Sequence, residues 1–87
     1  MNFGEWVQIK ISLLDISQNK FTDMVGTGGS SVRRWVQGHQ PRIDLLIATC
    51  EVISNLTGDS LDDVIIEACR STPAYMSANK RIERVAQ

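Results

Sequence analysis

Two adjacent arginines, Arg33 and Arg34, dominate the stretch SQNKFTDMVGTGGSSVRRWVQG, which runs from Ser17 to Gly38. Arginine carries a planar fork of donors that fits the O6 and N7 edge of guanine and also grips phosphate. Gly29, Ser30, Ser31 and Gln37 flank the pair, and Gln18, Lys20, His39, Gln40 and Arg42 lie further out. Side chains of this kind recognise polar edges and anions. The chemistry they offer is binding, with no bond made or broken.

Other groupings that would imply catalysis or cofactor binding fall short. The GTGG tetrapeptide at Gly26–Gly29 lacks the lysine–serine ending of a phosphate-binding loop, and no strand precedes it. Asp59, Asp62, Asp63 and Glu67 cluster at a predicted helix start, where capping and solubility explain them, and no histidine or lysine completes an active site. His39 is the single histidine and has first of all the character of a turn residue. Cys50 and Cys69 both fall on apolar helix faces nineteen residues apart, which predicts buried, reduced thiols. No metal-ligand spacing is present, so neither metal nor cofactor nor enzymatic activity is expected.

Bulk properties set the frame. Eighty-seven residues with 43% hydrophobic content suit one small domain with a thin core. The net charge of -1 conceals a strong asymmetry. Residues 18–42 hold Lys20, Arg33, Arg34 and Arg42 against Asp23 alone, whereas residues 51–69 hold five acids and no base. Residues 70–87 are basic again through Arg70, Lys80, Arg81 and Arg84. A basic face for phosphates and an acidic face turned away follow from this pattern. The first fifteen residues include Glu5 and Asp15 and form no unbroken apolar run. Neither a signal peptide nor a membrane span is predicted, and a cytoplasmic location is expected.

Helical periodicity organises the whole chain, and no stretch alternates as a strand would. A first helix is predicted from Phe3 or Gly4 to about Asp15, with Phe3, Val7, Ile11 and Leu14 as its stripe and Trp6 and Leu13 widening it. Ser17 caps a second helix reaching Val25, with Phe21, Met24 and Val25 facing inward. Gly26, Gly28 and Gly29 are read as a sharp turn using positive φ. A third helix starts near Gly29 or Ser30, with Ser30 as its cap, buries Val32, Trp35 and Val36, and ends at Gly38 in the C′ position. A fourth runs from about Ile43 to Leu56 over Leu46, Cys50, Ile53 and Leu56, with Leu45 broadening its face. Ser60 caps a fifth, whose stripe is Leu61, Val64, Ile65 and Ala68. Thr72 and Pro73 break the pattern, and Ser77 as cap with Ile82 and Val85 as apolar anchors marks a candidate short last helix. The predicted core is Trp6, Leu14, Phe21, Val25, Val32, Trp35, Leu46, Ile53, Leu61 and Ile65.

From Ile16 onward the chain resembles the helix-turn-helix domain of the lambda-repressor-like and Cro-like regulators, the XRE family. Ile16, Ser17 and Gln18 match the start of that family's second helix; Phe21 and Val25 match its buried positions, and Gly26 its turn glycine. Nine residues further, Trp35 stands where the family has tryptophan, with Val32 and Arg34 before it and Gly38 and Pro41 after it. The likeness covers roughly residues 5 to 68. Thr22 replaces the family's small alanine, and Thr27 and Gly28 replace a hydrophobic turn residue and a serine cap. That change leaves the turn less anchored and moves the cap to Ser30.

The resemblance implies an all-α, five-helix domain over residues 1–70 with an extension, 71–87, that either dimerises or stays flexible. It implies a sequence-specific regulator of transcription bound to a double-stranded DNA operator as a homodimer, of the small phage, plasmid or antitoxin kind, with no small-molecule ligand. Gly29, Ser30, Ser31, Arg33 and Arg34 map onto the exposed part of the recognition helix. Arg33 is the expected base reader, and Arg34 the phosphate clamp or a packing residue beside Trp35. Gln18 is expected to hold a phosphate at its helix start, and Lys20, Gln37, His39, Gln40 and Arg42 to make outer contacts. Dimer contacts would come from the fourth and fifth helices or from the tail around Tyr75, Met76, Ile82 and Val85. The alternative is a helical protein-interaction module on the same fold, docking its acidic fifth helix on a basic partner.

Overall fold

Asn2 opens the first helix: its side-chain oxygen accepts from the Glu5 amide at 2.9 Å while Glu5 Oε1 accepts from the Asn2 amide at 3.3 Å. This reciprocal capping box satisfies two amides that the helix itself cannot serve. The computed structural model describes residues 1–70, which form five helices in the order α1 Phe3–Leu13, α2 Gln18–Val25, α3 Ser31–Val36, α4 Ile43–Thr57 and α5 Leu61–Arg70. Among the described residues there is no strand. The extension and its candidate helix lie outside the described residues.

The first three helices close in the same way. Asp15, Gly26 and Gly38 take positive φ values of 56°, 86° and 106°. Beyond each, the next amide reaches back five residues: Ile16 to the Ile11 carbonyl, Thr27 to that of Thr22, and His39 to that of Arg34. These are Schellman-type stops. Aspartate tolerates the left-handed region better than most side chains, which is why α1 ends at Leu13 and not at Asp15 as predicted. Gly28 and Gly29 are not among the positive-φ residues, so Gly26 alone provides the turn between α2 and α3. At their starts, α2 and α5 are capped as predicted: Ser17 Oγ accepts from the Lys20 amide at 3.1 Å and Ser60 Oγ from the Asp63 amide at 3.2 Å.

Buried side chains from every helix meet in one core. Phe3, Trp6, Val7 and Ile11 come from α1, Phe21 from α2, Val32 and Trp35 from α3, Cys50 and Ile53 from α4, and Val64 and Ala68 from α5. Of the predicted core, Val25, Leu46, Leu61 and Ile65 pack against this cluster half-buried, and Leu14 is also half-buried. Three predicted inward positions are exposed instead: Leu13 at 77%, Met24 at 44% and Leu56 at 37%. Leu13 is the last residue of α1, beyond the reach of a covering helix. On α2 the small Thr22, 1% exposed, takes the inward place that Met24 was given, and its hydroxyl donates to the Asn19 carbonyl at 3.0 Å.

α1 is the hub. It packs on α2, α3 and α5, and its contact with α3 is the most extensive between any two helices. On its other side Lys10 Nζ meets Glu67 Oε1 of α5 at 2.8 Å and lies 5.9 Å above the Trp6 ring. The Lys10 hydrogen bond, chiefly, holds the Glu67 carboxyl below its usual range. A weaker contribution in the same direction comes from the indole N–H of the buried Trp6, which favours the ionised Glu67. A carboxyl whose folded pKa is depressed adds stability above its unfolded pKa and loses it as pH falls through the folded value. Glu67 is about half exposed, so Glu67→Gln should cost only about 0.2–1 kcal/mol at pH 7. Urea titrations should show that difference shrinking to nothing as pH is lowered through the acid range; a difference constant with pH would remove the ion pair as its cause.

Candidate nucleic-acid interface

The face in question is built on α3, six residues long. Val32 and Trp35 are buried on its inner side, and Val36 is half-buried. With a 100° step per residue, that leaves Ser30, Arg33, Arg34 and Gln37 on the outer side, and all four are exposed. Both arginines therefore project to solvent, and Arg34 is not a packing residue beside Trp35. Phe3 supports the inner side, its ring centroid 5.4 Å from that of Trp35.

Ser30 occupies the N-cap position of α3 but in helical geometry, with no side-chain cap bond, contrary to expectation. The turn is tied one residue later, where Thr27 Oγ1 and Ser31 Oγ share a hydrogen bond of 2.7 Å. Thr27 thus anchors the turn through its hydroxyl, and α3 begins at Ser31. Gly29 lies against the start of α2: a Cβ there would come 3.4 Å from Asn19 Oδ1. The turn and the first turn of α2, with Gln18 half-buried and Lys20 exposed, form one neighbourhood.

A second neighbourhood is an open groove of about 530 Å³ between α3 and the segment that leads into α4. Ser31, Arg34, Gln37, His39, Gln40 and Arg42 supply its polar lining, and Trp35, Pro41 and Leu45 the apolar part. Six of the eleven candidate residues thus converge, and Arg33, Gln18, Lys20, Gly29 and Ser30 stand outside the groove. Arg42 Nε lies 3.8 Å from Asp44 Oδ1, with both side chains highly exposed. A pair so open to water holds Arg42 weakly and leaves it available to an anion.

Elsewhere the chemistry is quiet. Among the described residues no group of three His, Cys, Asp or Glu side chains converges as metal ligands. Among the described residues no disulfide joins the cysteines; Cys50 is buried and Cys69 half-buried. Burial, and secondarily the neighbouring Cys69, pushes the Cys50 thiol up to about 11, so it stays protonated at neutral pH and is a poor nucleophile. No helix among the described residues is long and apolar enough to cross a membrane.

Asn2 and Gly4 are the residues of this region that periodicity does not single out. Asn2 Nδ2 donates to the Val36 carbonyl at the end of α3, at 2.8 Å. Gly4 is the point where α1 touches the α3 backbone: an added Cβ would stand 2.2 Å from the Val36 nitrogen and 2.4 Å from the Trp35 carbonyl carbon. A glycine near the start of an otherwise periodic helix is the one trace of this contact in the sequence. Compared with families of known proteins, with curated sequences and with solved structures, the chain matches none.

Proposed function

We propose that this protein is a sequence-specific regulator of transcription that binds double-stranded DNA through the outer face of α3, on a lambda-repressor-like arrangement of α2 and α3. The observation that carries the reading is the division of α3 itself. A short helix buries Val32 and Trp35 against α1 and α2 and leaves Arg33, Arg34 and Gln37 exposed beside a groove lined by His39 and Arg42. Arg33, outside the groove, is the base reader, and Arg34 with Arg42 clamps a phosphate ridge seated in it. Gln18, Lys20, Gly29 and Ser30 approach the backbone on the opposite side of the turn. The acids Asp62 and Asp63 sit at the start of α5, which packs on α4 and α1. The protein acts by occupancy in the cytoplasm, without covalent chemistry.

Two-fold operators require two copies. The exposed apolar side chains Ile43 and Ile47 on α4 and Ile66 on α5 favour these helices as the dimer contact. A second reading, a protein-interaction module, draws support from Ile9 and Leu13, exposed together on α1.

Substitutions separate the roles. Arg33→Ala should weaken a selected site by about 1–3 kcal/mol while sparing random duplex. Arg34→Ala should weaken both and lower the salt slope by about one. Fluorescence anisotropy on both duplexes at several salt concentrations reads these effects. An equal loss from Arg33→Ala on every sequence would remove it as a reader, and no duplex binding at low salt would favour the interaction module.

A further inference from the structure

With six residues, α3 is too short to hold a helical conformation from its own hydrogen bonds. Its last four carbonyls are nevertheless all satisfied. The Gln37 amide donates to Arg33 O at 3.1 Å, the His39 amide to Arg34 O at 3.0 Å, and the Gly38 amide to Trp35 O at 3.1 Å. The fourth, Val36 O, is served from a distant part of the sequence by Asn2 Nδ2 at 2.8 Å. The oxygen of the same carboxamide accepts from the Glu5 amide at 2.9 Å, as the N-cap of α1. One planar group therefore joins the start of α1 to the end of α3, and Gly4 lets the two backbones come close enough for it to do so.

We propose that Asn2 is a positioning residue for α3: its carboxamide tethers the last turn of the helix to α1 and so sets the angle at which Arg33, Arg34 and Gln37 are presented. The tether is a property of the fold, while its effect on recognition rests on the DNA-binding reading. Aspartate and serine at this position keep an oxygen for the α1 cap. Aspartate has no donor for Val36 O, and serine is too short to span both partners. Asn2→Asp and Asn2→Ser thus remove the tether and spare the cap, and their agreement excludes the aspartate charge as the cause.

Amide hydrogen exchange and duplex binding are measured on the full chain and on both variants. Glu5 amide protection should match that of the parent, while exchange of the 37–39 amides should quicken by about fivefold, the worth of one hydrogen bond. The ratio of selected-site to random-duplex affinity should fall by about fivefold, with random-duplex affinity kept within about twofold. Unchanged exchange at 37–39 would overturn the tether. Faster exchange with unchanged discrimination would overturn its positioning role. If the parent itself prefers no duplex, the DNA-binding reading fails, and exchange alone then upholds or overturns the tether.

Discussion

Trp35→Ala should unfold most of the molecule at 37 °C. Trp35 is 5% exposed and sits where α3 meets α1, against the ring of Phe3, which in turn lies 5.6 Å from that of Trp6. Removing the indole deletes its transfer free energy and opens a cavity that three helices would have to collapse into, a combined cost of about 3–5 kcal/mol. Domains of this size have about 5–15 kcal/mol in total and belong at the low end of that range. Circular dichroism should show loss of helix and of a cooperative melt. A variant melting within a few degrees of the parent would show that Trp35 is not the keystone of the α1–α3 contact.

Gly4→Ala should destabilise although alanine is the better helix former. Replacing glycine by alanine inside a helix normally gains about 1 kcal/mol. Here the new Cβ would stand 2.2 Å from the Val36 nitrogen, a backbone atom that no rotamer change can move aside. α1 and α3 must separate, which breaks the packing of Phe3 on Trp35 and draws Asn2 from Val36 O. Overpacking of this kind costs about 1–3 kcal/mol or more, enough to reverse the sign. Gly28→Ala is the matched control: Gly28 has open space around it and is not among the positive-φ residues, so about 0.4–1 kcal/mol of stabilisation is expected. Chemical denaturation of both variants checks the pair. A Gly4→Ala protein as stable as the Gly28→Ala protein would contradict the close approach.

What periodicity and punctuation encode was legible without coordinates. The five helices follow from apolar spacing, and the stops at Gly26 and Gly38 follow from the one residue that adopts positive φ without steric cost. Asp15 was misread because its left-handed conformation is permitted, not required, by its side chain. Met24 and Leu13 were misread because an apolar residue at the margin of a stripe is buried only if a neighbour covers it, and periodicity does not report neighbours. At the candidate site, Arg33, Arg34 and Gln37 were legible from the face opposite Val32 and Trp35. The groove was not, since it depends on how residues 39–42 fold back beside α3. Asn2 was illegible for the same reason, and Gly4 left only the trace of a glycine in a periodic helix: each acts on Val36, far along the chain.

Selection from a random duplex library with the full chain, followed by salt titration of the enriched duplex, tests the central claim most directly. The account predicts enrichment of a motif with related half-sites about one helical turn apart. It also predicts an affinity that falls steeply and log-linearly as salt rises, the signature of counterions released by Arg34, Arg42 and their neighbours. No enrichment over many rounds, together with duplex binding that is absent at low salt, would contradict it.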